Sequence, residues 1–187
     1  MWTVNSVSGK NAINYRDNVR GYRHFPSFGS LHRTRAFVGD FDGDKAPELL
    51  TDAQGMYTWF NLYHADGTPK RQVNLGPGHV ICDWTVGDFT GDQRPEAAVI
   101  TYTDELLAID GRCEPLWNVD VPFHPTLLAI DDVGKRIAVA EKRSLAIFDG
   151  SGRQLHFTRL PLEITHLWCN GGRVFVVSDG TIQQVEF

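Results

Sequence analysis

Residues 38–48 of the chain read VGDFDGDKAPE, and residues 86–96 repeat the pattern as VGDFTGDQRPE. Oxygen-bearing side chains fall at alternating positions and again near the end of each copy: Asp40, Asp42, Asp44 and Glu48 in the first, and Asp88, Thr90, Asp92 and Glu96 in the second. A hard cation such as Ca²⁺ takes roughly six to eight oxygen ligands, so carboxylates alternating on a tight loop suit it. The sequence therefore predicts two structural Ca²⁺ loops.

The flanks of both loops indicate strands. Gly43 and Gly91 let the backbone fold back, and an apolar run follows each loop. Helices would flank the loop of an EF-hand, so that site is disfavoured. The alternative is an acidic hairpin turn, because Asp and Gly are common in turns. Thr90 carries no charge, so the second loop is the weaker predicted site.

The two loops resemble the calcium loop of FG-GAP/VCBS repeats, which occur in integrin-α-type and bacterial β-propellers. By position, the resemblance implies two further ligands, the backbone carbonyls of Ala46 and Arg94. This sequence has Lys45 and Gln93 where the family usually has Gly, and Glu where it usually has Asp at the ninth position. These departures bear on the affinity of the loops. The segments 107–117 and 145–155 also resemble the turn of quinoprotein-like propeller repeats, and the two resemblances cover residues 34–187.

Internal repeats organise the chain. The acidic loop and an Asp-Gly turn, at Asp66, Asp110 and Asp149, recur about every 40 residues in the same order. Four short strands with turns between them describe a propeller blade. We therefore predict an all-β fold, a propeller of about four blades with four antiparallel strands each, at about 34–76, 78–121, 124–161 and 163–187. In the third unit, residues 131–134 lack the alternating oxygens, and no metal is predicted there.

The ends of the chain complete this prediction. The last unit supplies only three strands, so we expect residues 1–5 to close the ring, with residues 2–5 pairing beside 181–187. Residues 6–33 are predicted to form an irregular loop in which Arg and aromatic residues alternate. The alternative is a fragment, or half of a larger ring assembled from two chains as a homodimer.

Composition excludes some classes of protein. The formal net charge of −5 argues against a nucleic-acid partner, which needs a basic face. The longest apolar runs are strand-sized, so membrane insertion is not expected. No signal peptide is visible, although an extracellular or cell-surface location would suit low-affinity calcium loops. The three cysteines are predicted to be buried thiols, or one disulfide and one free thiol. Four tryptophans are predicted to pack between blades: Trp59, Trp84, Trp117 and Trp168.

These patterns predict a non-enzymatic, calcium-stabilised β-propeller that recognises a protein or a glycan. No catalytic residue is assigned. The alternative is a carbohydrate-active enzyme of the polysaccharide-lyase type, or an accessory unit of one, for which the candidate cluster is Arg20, Arg23, His24 and Arg33.

Overall fold

The computed structural model describes residues 36–53 and 58–186, and within these ranges it contains fifteen β-strands and no helix. Blade one consists of β1 Ala36–Gly39, β2 Glu48–Ala53, β3 Trp59–His64 and β4 Pro69–Asn74. Blade two consists of β5 Ile81–Gly87, β6 Glu96–Thr101, β7 Glu105–Ile109 and β8 Pro115–Asp120.

Blade three consists of β9 Leu127–Asp131, β10 Arg136–Glu141, β11 Ser144–Asp149 and β12 Gln154–Arg159. Blade four consists of β13 Ile164–Asn170, β14 Arg173–Ser178 and β15 Thr181–Val185. In every blade the strands pair antiparallel in chain order. The predicted all-β blade pattern is confirmed, with strand bounds shifted by a few residues.

The sequence of each strand reflects its depth in the blade. β6 has an apolar run from Ala97 to Ile100 and is buried along its whole length. The outer strand β8 instead alternates exposed and half-buried residues, because only one of its faces meets the protein. β6 is covered on both faces, because Ala97 and Val99 pack in the cluster shared with blade one and Ala98 and Ile100 pack in the cluster shared with blade three.

Three hydrophobic clusters join consecutive blades. The first lies between blades one and two, the second between blades two and three, and the third between blades three and four. Trp84 is fully buried in the first cluster, where its ring meets Phe37 and Phe60 edge to face at 4.9 and 4.8 Å between centroids. This contact confirms that Trp84 packs between blades.

The other tryptophans differ in their surroundings. Trp117 packs against the second cluster, as predicted, and its indole Nε1 donates a hydrogen bond to the Gly150 carbonyl at 2.9 Å. Trp59 is half-buried and is the first residue of β3. Trp168 does not join the third cluster; it stacks on Phe175, its cross-strand partner, on the opposite face of blade four. The strand register turns Trp168 away from blade three, and its packing between blades stays a prediction.

The two repeated motifs meet across the blade junctions. Phe41 and Phe89, at the second position of each acidic loop, are buried. A Cβ added at Gly111 would lie 1.7 Å from the Phe41 carbonyl oxygen, and one at Gly150 would lie 2.1 Å from that of Phe89. These two Asp-Gly turns therefore pack directly on the acidic loop of the preceding blade, and glycine is required at both positions by close approach.

Several predictions concern residues outside the ranges 36–53 and 58–186. The closing strand 1–5, the loop 6–33 and the cluster of Arg20, Arg23, His24 and Arg33 lie outside the described residues. In the described ranges, no helix has the length and apolar character needed to cross a bilayer. Cys82, Cys113 and Cys169 form no disulfide with one another, and Cys113 is buried.

Candidate metal centres

Asp40 sets the shape of the first acidic loop, which connects β1 to β2. Its two carboxylate oxygens accept hydrogen bonds from the backbone amides of Gly43, at 2.7 Å, and Lys45, at 2.9 Å. Gly43 and Lys45 both have positive φ, 81° and 70°. Lys45 thus has a left-handed conformation, which strains a residue that carries a side chain and suits glycine better.

The remaining carboxylates of the first loop surround an ammonium group. Lys70 Nζ lies 2.7 Å from Asp42 Oδ2, 2.9 Å from Glu48 Oε1 and 3.5 Å from Asp44 Oδ2. The Glu48 side chain is 1% exposed and that of Lys70 is 18% exposed. The other oxygen of Glu48 accepts the Phe41 amide at 2.8 Å. The loop therefore already contains a cation, supplied by the protein.

Lys70 reaches the loop because of a β-bulge in β4. Leu62 pairs with Arg71 and Tyr63 pairs with Pro69, so that Lys70 is the extra residue between them. A bulge re-aims a side chain out of the regular alternation of a strand. Lys70 thereby ties the outer strand of blade one to its innermost loop.

The second acidic loop, between β5 and β6, has the same backbone arrangement. Asp88 accepts hydrogen bonds from the amides of Gly91, at 2.6 Å, and Gln93, at 3.2 Å. Gln93 has a φ of 71°, matching Lys45 in the first loop. The Asp92 carboxylate accepts the Arg94 amide at 2.8 Å. Similar sequences thus fold into equivalent loops.

Glu96 is the buried carboxylate of the second loop. It accepts the amides of Phe89 and Thr90 at 3.1 and 3.2 Å, and the Thr90 hydroxyl donates to its other oxygen at 2.8 Å. Burial raises the pKa of Glu96, and the neighbouring Asp92 charge adds to the rise. The hydrogen bonds from Thr90 and Phe89 act in the opposite direction without offsetting burial. The negative charge of Glu96 is therefore only partly compensated by the protein.

Lys135, from the turn before β10 of the next blade, contacts the second loop at one residue. Its ammonium lies 2.7 Å from Asp88 Oδ2 and 2.9 Å from the Asp88 carbonyl oxygen. Burial acts to raise the pKa of Asp88, but the hydrogen bonds from Lys135 and Gly91 outweigh it and lower the pKa. Over the described part of the chain, neither Asp92 nor Glu96 forms an ion pair with a lysine or arginine.

The structure brings most of the predicted ligands together. Ligand oxygens of three carboxylates lie within 4.8 Å of one another in each loop: those of Asp40, Asp42 and Glu48, and those of Asp88, Asp92 and Glu96. Asp44 is more exposed, and its carboxylate accepts the Ala46 amide at 2.7 Å. Coordination by the Ala46 and Arg94 carbonyls and by the Thr90 hydroxyl stays a prediction.

The donor sets of the two loops fit a divalent cation differently. In the second loop, three carboxylates converge and only Asp88 is paired with an ammonium, so the set fits a hard cation. In the first loop, the hydrogen bond and charge of Lys70 lower the pKa of Asp42, because the ammonium favours the ionised carboxylate with which it pairs. Sequence reasoning missed Lys70 and Lys135. Aligning Pro69-Lys70 with Pro115-Leu116 after the two Asp-Gly turns pairs Lys70 with an uncharged residue, but no local signal shows that Lys70 reaches the loop.

Comparisons with known proteins extend the description of the fold. No known family and no curated protein matches this sequence. The crystal structure of BBS1N in complex with ARL6DN, soaked with lead, has a TM-score of 0.62 and 19% identity, over 81% of this chain and 50% of that chain. The mercury-soaked crystal of the same complex gives 0.56 and 16%, over 76% and 59%.

Sqt1 of Saccharomyces cerevisiae has a TM-score of 0.66 and 12% identity, over 83% of this chain and 46% of that chain. The chain thus spans about half the length of these solved chains. At such identities the likeness concerns the fold. Together with the four consecutive antiparallel sheets, it shows that this chain has the fold of a β-propeller, of which four blades are described here.

Proposed function

We propose that this chain is a non-enzymatic β-propeller module that binds a protein partner, and that Ca²⁺ stabilises it at the second acidic loop. The carboxylates of both loops hydrogen-bond to backbone amides and the loop phenylalanines are buried, which supports a structural role for the loops. One of the similar solved structures is a complex of BBS1N with ARL6DN, and this supports a protein as the partner of a propeller of this shape.

The proposal of protein binding rests on the face of blade four that points away from blade three, which is called its outer face below. Val174 and Val176 of β14 pack toward blade three, so Phe175 and Val177 point to the other face. There Trp168 stacks on Phe175, with ring centroids 5.5 Å apart, and Val177 lies opposite Ile182. Ile182 is 64% exposed.

The equivalent face of blade three packs on blade four. Ala138 and Leu145 of blade three belong to the cluster shared with blade four. The outer face of blade four therefore has the composition of a packing surface. A partner that presents an apolar protein surface, such as the face of another β-sheet, matches it, because burying aromatic and aliphatic side chains drives association.

The binding experiment uses the whole chain and two single substitutions. Ile182→Glu places a charge on the outer face of blade four, and Val133→Glu places the same charge on an exposed loop of blade three as a control. Proteins cross-linked to the wild type are identified, the most abundant is purified, and its affinity is measured by calorimetry. We expect Ile182→Glu to weaken binding at least about tenfold and Val133→Glu to leave it unchanged.

Two results would refute this proposal. One is equal affinity of the purified partner for both variants. The other is binding of oligosaccharides, with no protein partner, that Phe175→Ala abolishes; the stacked Trp168 and Phe175 rings would then be a platform for sugars. The second result would favour glycan recognition by the same face.

A further inference from the structure

The geometry points to Lys70 as the resident cation of the first acidic loop, so that this loop closes without metal and divalent cations bind the second loop alone. The statement about the second loop depends on the calcium site proposed above, whereas the role of Lys70 does not. Sequence reasoning favours the first loop, which has four carboxylates, over the second, which has Thr90 in place of one of them. The structure reverses this order.

Lys70 pairs with Asp42 and Glu48, two of the three carboxylates that converge in the first loop as candidate metal ligands. An ammonium has three N–H donors, and three carboxylates of the first loop lie within 3.5 Å of Nζ. Two of these distances, 2.7 Å to Asp42 and 2.9 Å to Glu48, are those of charge-assisted hydrogen bonds. A Ca²⁺ ion bound by the same oxygens at about 2.4 Å could not coexist with this ammonium. It would have to displace Lys70 from a buried glutamate.

The same bulge occurs in the next blade with a different residue. In β8, Ala108 pairs with Trp117 and Ile109 pairs with Pro115, so that Leu116 occupies the position of Lys70. Leu116 is 44% exposed and carries no charge. The second loop therefore lacks the ammonium that the bulge supplies in the first, and Lys135 reaches only Asp88.

The experiment exchanges these two residues in the 187-residue chain. The variants are Lys70→Leu, Leu116→Lys and the double exchange. Arg71→Leu is the matched control, because it removes the same charge from the same strand but from an exposed pair with Glu114. Tb³⁺ luminescence and Ca²⁺ calorimetry count the bound ions, and Asp42→Asn and Asp92→Asn assign each ion to its loop.

We expect the wild type and Arg71→Leu to bind one ion, at the second loop. Lys70→Leu should bind two, with an affinity of the first loop raised at least about tenfold by removal of the adjacent positive charge. Leu116→Lys should bind none, and the double exchange should bind one ion, now at the first loop. Two ions on the wild type, or loss of its single ion through Asp42→Asn, would overturn the inference. If the wild type binds one ion, the absence of an additional ion on folded Lys70→Leu would also overturn it.

A measurement without metal separates this inference from the calcium proposal. In EDTA, Lys70→Leu should lower the Tm more than Arg71→Leu does. The double variant Lys70→Leu/Glu48→Gln should lose less Tm than the sum of the two single losses, because both substitutions remove the same Lys70–Glu48 contact. If no variant binds an ion but this pattern holds, the calcium site is refuted and Lys70 remains the cation of the first loop. If Lys70→Leu is neutral in EDTA, Lys70 does not have this role.

Discussion

Replacing Gly111 with alanine should destabilise the junction between blades one and two. The added Cβ would lie 1.7 Å from the Phe41 carbonyl oxygen, whereas real Cβ atoms essentially never approach another atom within 3.0 Å. The two backbones must therefore separate by roughly 1.3 Å in an interior packed as densely as a crystal. Gly111 does not have positive φ, so alanine is not otherwise strained there, and the effect is steric.

The expected magnitude follows from two opposing effects. Overpacking a well-packed interior costs about 1–3 kcal/mol, and a clash with backbone belongs at the upper end because no rotamer relieves it. Alanine also lowers the conformational entropy of the unfolded chain, which stabilises the folded protein by about 0.4–1 kcal/mol. The free energy of unfolding should fall by about 2 kcal/mol, equivalent to a Tm lower by about 4–8 °C for a chain of this size.

Urea denaturation followed by circular dichroism measures this loss. Gly39→Ala is the matched control, because its Cβ would meet the Pro95 side chain at 3.6 Å, an ordinary contact, and it should be neutral or slightly stabilising. Gly150→Ala, with its Cβ 2.1 Å from the Phe89 carbonyl oxygen, should behave like Gly111→Ala. Equal stability of Gly111→Ala and Gly39→Ala would refute the proposed contact between turn and loop.

Two further predictions concern buried acids. Burial raises the pKa of Glu96 above its usual 4.5, so the stability that this carboxyl contributes is fully present below pH 4.5 and is lost as pH rises through its folded-state pKa. In EDTA, the Tm of the wild type relative to Glu96→Gln should fall across that window, and a difference independent of pH would contradict this. Burial also raises the pKa of Cys113 to about 12, so iodoacetamide should label it far more slowly in the native protein than in urea, as mass spectrometry would show; rapid native labelling would count against it.

Much of the fold is predictable from the sequence because its signals are local and repeated. The apolar run from Ala97 to Ile100 and the alternation from Pro115 to Asp120 already distinguish inner from outer strands. The acidic loops are equally visible, since their side chains hydrogen-bond to amides two to seven residues away. Local spacing is sufficient wherever the interacting groups are close in the chain.

The cations of the loops are not predictable in this way. Lys70 follows the first loop by a whole hairpin, and it reaches Glu48 only because a bulge shifts the register of β4. Lys135 comes from the next blade, 47 residues after Asp88. The outward orientation of Trp168 likewise depends on the register of β13, which the apolar pattern leaves open because both faces of that strand carry apolar residues. Each of these features depends on pairing between distant segments.

The three hydrophobic clusters give the described blades a one-dimensional cooperativity. Each cluster couples a blade only to its successor, so the free energy of the array is close to a sum of nearest-neighbour interfaces. Opening blade two or blade three must therefore break two of these interfaces. Amide exchange should be slowest in β6 and β10, which are almost completely buried. It should be faster in β15, a mostly exposed strand at the edge of the described sheet of blade four.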